Sequence, residues 1–129
     1  MALVLVVDEF RPITAAVSAL IASMGHDAAA AHSGAEAMGF LRRCPTDLII
    51  LELALPVVSG LDVLRQLRAD ATLSRVPVVV FAMSPDACEQ ATALGVTACV
   101  LKHDVDALSA ELRRLLPHAK VRIPPPPVS

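Results

Sequence analysis

A doubly wound α/β sandwich built on one parallel sheet is the architecture this sequence predicts, and three observations carry the prediction. Short β-branched runs alternate five times with longer Ala- and Leu-rich segments, the pattern of repeated strand–helix units. The runs at residues 3–7 and 47–51 are almost wholly apolar, as expected when helices cover both faces of a sheet. At 129 residues and 55% hydrophobic content the chain has room for one domain with a sizeable core, not for two.

The first strand, residues 3–7, stops at two acids, Asp8 and Glu9. A helix follows over 12–24, with Pro12 suited to a first turn and Ile13, Val17, Leu20, Ile21 and Met24 forming an apolar stripe; Gly25 ends it. A weak, Ala-rich second strand at 27–31 leads to Ser33 and Glu36, which have capping-box spacing and open a helix running to Arg43. Pro45 breaks the chain before the third strand, 47–51, which delivers Glu52 at its carboxyl end. The third helix spans 61–69 with Leu61, Leu64 and Leu67 inward. The fourth strand is 78–81, and Ser84, Pro85 and Asp86 make a helix start, with Gly95 as its close. The fifth strand, 97–101, precedes Lys102, and a last amphipathic helix at 104–116 aligns Leu108, Leu112 and Leu115. Residues 118–129, with Pro124 to Pro127 in succession, favour extended polyproline and are set apart as a tail or linker from a domain at 1–117.

A net charge of -2 offers no clustered cationic surface for phosphates, which argues against nucleic-acid binding by this chain alone. No run of about 18 uncharged apolar residues is present, so no membrane span is expected and a soluble, cytoplasmic protein is the reading. Cys44, Cys88 and Cys99 are widely spaced, form no C-x-x-C pair, and are expected to be small core filler.

In open α/β sheets, ligands bind beyond the carboxyl ends of the strands. Here those ends carry Asp8 and Glu9, Glu52, Ala82 to Ser84, and Lys102. Carboxylates suit a weak Mg2+ site, with Asp8, Glu9 and Glu52 as the candidate donors. Without a metal the acids repel one another, and Lys102, one of two lysines in a chain with nine arginines, is the natural internal counter-ion. A single acid at a loop start would be read as a helix cap or solvated surface; three strand ends converging weigh against that.

Val6-Val7-Asp8-Glu9, the segment 46–56 with Gly60, Val76-Pro77, and the segment from Gly95 to Lys102 resemble a response-regulator receiver domain of two-component signalling, similar to chemotaxis regulators. The resemblance runs from about Leu3 to Leu116. It implies a flavodoxin-like five-stranded sheet of order 2-1-3-4-5, and a pocket where paired acids hold Mg2+ while an aspartate accepts a phosphoryl group from a histidine kinase.

The sequence departs from that pattern in ways that bear on function. Glu52 stands at the phosphoacceptor position and is longer than aspartate by one bond of about 1.5 Å, in a reaction that depends on in-line geometry. It brings a charge of about -1, against roughly -1.5 to -2 for phosphate. Ala82 replaces the family's switch Ser or Thr and has no hydroxyl to donate. Cys99 stands at the switch-aromatic position, His103 where a proline usually follows the lysine, and Glu9 where aspartate is commoner. Ser84 is read as a helix cap and His103 as surface, neither as a replacement.

These departures predict an atypical, pseudo-receiver form: no enzyme, but a phosphorylation-independent module acting through a protein partner such as a kinase, output domain or signalling protein. Its fourth and fifth helices with the fifth strand form the partner face by resemblance, and a homodimer stays open. Two alternatives remain at this level, a Mg2+-dependent phosphoacceptor using Glu52 with Lys102 at the phosphoryl oxygens, and a small Mg2+-dependent phosphohydrolase, which the short loops and the lack of a general-base histidine disfavour.

Overall fold

The computed structural model describes residues 1–116, so the proline-rich tail expected at 118–129 lies outside the described residues. Five strands, β1 (Leu3–Val7), β2 (Asp27–Ala31), β3 (Leu48–Leu51), β4 (Val78–Ala82) and β5 (Ala98–Leu101), form one sheet of order β2-β1-β3-β4-β5. Every pairing is parallel. The helices are α1 (Arg11–Ser23), α2 (Gly34–Arg43), α3 (Gly60–Ala69), α4 (Pro85–Thr92) and α5 (Val105–Leu115). The flavodoxin-like order implied by the resemblance is the order observed.

Strand side chains alternate between two apolar layers, as the period of two requires. Leu5, Val7, Ile49, Leu51, Val78 and Val80 pack with residues of α2, α3 and α4, while Val4, Val6, Leu48, Ile50, Val79 and Phe81 pack with α1 and α5. The apolar runs legible in the sequence are therefore strands buried on both faces.

Helix ends follow their caps. Ser33 accepts a hydrogen bond from the Glu36 N–H at 3.1 Å, Ser84 from the Ala87 N–H, and Asp104 from the Ala107 N–H at 2.9 Å. Ser59 does the same for α3, accepting from the Asp62 N–H at 3.2 Å, so that helix starts one residue earlier than its leucine pattern indicates. Within α3 the fully buried residues are Gly60, Val63, Leu64 and Leu67, with Leu61 only half-buried at the turn nearest the loop. Helix α4 stops at Thr92 and a further turn carries the chain to Gly95, whose φ of 78° is the left-handed geometry that glycine adopts without strain.

The expectation that all three cysteines are plain core filler is corrected. Cys88 on α4 and Cys99 on β5 are joined by a disulfide with their Cα atoms 5.6 Å apart, and only Cys44 is free. The two are 11 residues apart in sequence, but β5 lies directly beneath α4, which brings them within bonding reach.

Candidate functional site

The register builds the site. Val7 pairs with Leu51, so the residues that follow, Asp8 and Glu52, leave adjacent strands at the same level. Ala82 pairs with Leu101, which puts Lys102 at the same end of the sheet. The Lys102 Nζ atom lies 2.6 Å from Asp8 Oδ2 and 2.9 Å from Glu52 Oε1. Both acids are buried, at 3% and 4% exposure, so this is an ion triad largely withdrawn from water.

The remaining carboxylate oxygens are held by the backbone. Asp8 Oδ1 accepts from the Phe10 N–H at 3.0 Å, and Glu52 Oε2 accepts from the Leu53 N–H at 2.8 Å. Each buried charge thus has an opposite charge and a hydrogen bond, the condition under which such groups are tolerated. Burial works to lower the Lys102 pKa, but hydrogen bonds from the ammonium to Asp8 and Glu52 and attraction to both charges prevail, and the group is held above its ordinary 10.5.

Around the triad, Ala82 is fully buried at the end of β4, and its carbonyl accepts the Lys102 N–H at 2.8 Å. Glu9 is exposed and has no ion pair or hydrogen bond to the triad among the described residues. Cys99 is turned into the disulfide, three residues before Lys102, and His103 is exposed. The loop after β3 folds back tightly: the Gly60 N–H donates to the Leu53 carbonyl at 2.8 Å, and a Cβ at Gly60 would lie 2.3 Å from the Glu52 carbonyl oxygen. Only glycine fits that approach. Between this loop and α4 lies a cleft of about 290 Å³ lined by Glu52, Leu53, Leu61, Met83, Ala87 and Gln90.

Of the residues singled out in the sequence, the structure brings Asp8, Glu52 and Lys102 together and leaves Glu9 outside; sequence reasoning missed the two backbone donors. It also missed Arg68, whose guanidinium donates to the carbonyls of Ser74, Val76 and Gly95 at 3.0, 3.0 and 2.9 Å and ties α3 to the loops entering β4 and β5. No local motif announces such a tie, because its acceptors are main-chain atoms.

A five-stranded parallel sheet of this order with an acid–lysine cluster at its carboxyl end defines a signalling receiver fold. Residues 4–113 match the family model described as the response regulator receiver domain, and the chain belongs to that family. It is similar to the DNA-binding response regulator MtrA of Mycobacterium leprae, 35% identical over 83 residues that make up 64% of this chain and 36% of that protein. The transcriptional regulatory protein KdpE of Mycobacterium tuberculosis is 36% identical over 94 residues, 73% of this chain and 40% of that one. The chain thus spans well under half the length of these curated relatives. Among solved structures, the chemotaxis response regulator CheY4 of Vibrio cholerae aligns with a TM-score of 0.82 at 27% identity, covering 90% of this chain and 99% of that one. The Mn(2+)-bound form of response regulator Rcp1, at 24% identity and a TM-score of 0.76, covers 88% of this chain and 92% of that one and shares the fold.

Carboxylates at strand ends suit a divalent cation, so the fit of the present acids to one matters. The oxygens of Asp8 and Glu52 that face each other are bridged by the Lys102 ammonium, and Glu9 is exposed. Among the described residues no group of three or more metal-ligating side chains is gathered together. As arranged here, the donor set does not fit a metal, because the ammonium already occupies the position between the two carboxylates. Likewise, no helix among the described residues is long and apolar enough to cross a membrane.

Proposed function

We propose that this receiver domain works as a protein-interaction module without phosphorylation at Glu52. The observation that carries this reading is the Lys102 ammonium seated between Asp8 Oδ2 and Glu52 Oε1, at 2.6 and 2.9 Å. Glu52 has one oxygen committed to the ammonium and the other to the Leu53 N–H, which leaves it a poor nucleophile for an in-line phosphoryl donor. The permanent ion triad supplies an electrostatic link between the ends of β1, β3 and β5 that a transient phosphate and metal would otherwise have to make. Ala82 offers no hydroxyl to register an incoming phosphoryl group.

The partner in this reading is a protein, a kinase, an output domain or another signalling component, engaged through α4, β5 and α5. DNA binding, which the name of the MtrA relatives carries, is not part of this reading.

The test is intact-mass measurement after incubation with Mg2+ and a small acyl phosphodonor, for the wild type and for Glu52→Asp. No mass gain in the wild type is expected. A stoichiometric, base-labile gain mapping to Glu52 sinks the proposal and restores the phosphoacceptor reading, whereas steady release of inorganic phosphate from model esters would favour a hydrolase.

A further inference from the structure

We propose that Cys88 and Cys99 form a reversible thiol–disulfide couple that exchanges with small-molecule disulfides of the glutathione type and sets how firmly α4 is held on the sheet. This goes beyond the reading of the acidic site and does not depend on it. Among the five helices, α4 is the shortest and buries the fewest residues fully: it is eight residues long and buries only Ala91, whereas α2 and α3 each bury four residues. The covalent bond from Cys88 to β5 supplies the attachment that apolar burial does not.

Both cysteines are half-buried at the domain surface, so a small thiol or disulfide has access to them. A domain with two complete apolar layers has no need of a covalent staple to fold, unlike small core-poor chains that rely on disulfides. What the bond controls is local. Ala87 and Gln90 of α4 line the cleft that reaches Glu52, and Cys99 lies three residues before Lys102 on the strand that carries the triad's cation. Freeing α4 loosens one wall of that cleft while the sheet and the other four helices keep their packing.

The exchange balances in two steps. One cysteine thiolate attacks a sulfur of the external disulfide, forming a mixed disulfide and expelling one small thiolate; the second cysteine thiolate then attacks the protein sulfur and expels the other. Two protein thiols and one external disulfide become one protein disulfide and two external thiols. Reduction is the reverse, with reduced glutathione as the electron donor.

The full chain, carrying Cys44→Ser to remove the remaining thiol, is equilibrated in excess oxidised or excess reduced glutathione, alkylated and weighed, and its backbone amide exchange is followed by mass spectrometry. Expected are no alkylated sites after oxidation and two after reduction. Exchange within residues 83–92 should be on the order of tenfold to a hundredfold faster in the reduced form, the range that closing a short covalent loop allows, with the other helices unchanged. Cys88→Ser and Cys99→Ser should exchange at the fast rate in either buffer. Two alkylatable thiols persisting in excess oxidised glutathione would overturn the proposal, as would equal exchange of α4 in both states. Exchange that rises across the whole sheet on reduction would overturn it too, since the bond would then be a global staple.

Discussion

The two ends of the sheet solve the same problem in opposite ways. At the amino ends, polar side chains satisfy backbone groups one at a time: His26 Nδ1 accepts the Ala2 N–H at 3.0 Å, Asp47 Oδ2 accepts the Leu3 N–H at 2.8 Å, and Arg68 donates to three carbonyls. At the carboxyl ends, Asp8, Glu52 and Lys102 satisfy one another as charges, with a single backbone N–H for each acid. The first arrangement is modular, and loss of one member orphans only its own partners. The second is mutual, so that loss of the cation leaves two buried negative charges facing each other.

The sharpest way to break this comparison is Lys102→Met. Uncompensated burial of the two acids should destabilise the domain by about 3–5 kcal/mol, measured by urea unfolding at neutral pH. The variant should regain stability as pH falls, because a proton can then take the ammonium's place between the carboxylates. A loss below about 1 kcal/mol would mean that the triad behaves like an ordinary surface ion pair.

The wild type should show the same dependence from the alkaline side. Because the Lys102 pKa is raised on folding, its contribution is present in full below the ordinary value of 10.5 and is lost as pH rises through the higher folded value. With no tyrosine and one other lysine in the chain, an unfolding midpoint that holds level up to that range and then falls reports on this group, and Lys102→Met should lack the step.

At the amino end, Arg68→Met keeps the aliphatic stem but removes the donors, and about 1–3 kcal/mol should be lost without any change in the pH profile. An altered alkaline step in that variant would show that the two ends are coupled. The smallest effect is expected at Val57, a fully exposed β-branched residue with φ of 66° in the loop beside Glu52. Val57→Asn should stabilise the domain by about 1 kcal/mol, since asparagine tolerates the left-handed region better. A loss of stability there would mean that the loop's conformation depends on the valine itself.

How much of this was legible beforehand varied with how local the signal was. The strands could be read from apolar runs, the second and fourth helices from Ser33 and Ser84 as caps, the last from its leucine stripe, and the site from acids and a lysine at strand ends, because each of these signals sits within a few residues of the feature it predicts. Glu9 shows the limit: next to Asp8 in sequence, it lies in the bend after β1 and is exposed, and no run of residue types announces where a bend turns a side chain. On α3 the leucine pattern passes over Val63, which is fully buried, while Leu61 packs half-buried against the same core.

By itself, then, the order of residues determined the five strand–helix units, the apolar layers on either side of the sheet, and the chemical character of one end of it. Only the tertiary structure decided that Lys102 bridges Asp8 and Glu52, that Cys88 bonds Cys99, and that Arg68 closes the opposite end. The physical reason is that patterns of period two and 3.6 are properties of a single segment, whereas a salt bridge, a disulfide or a guanidinium tie depends on distances between segments that the sheet register sets.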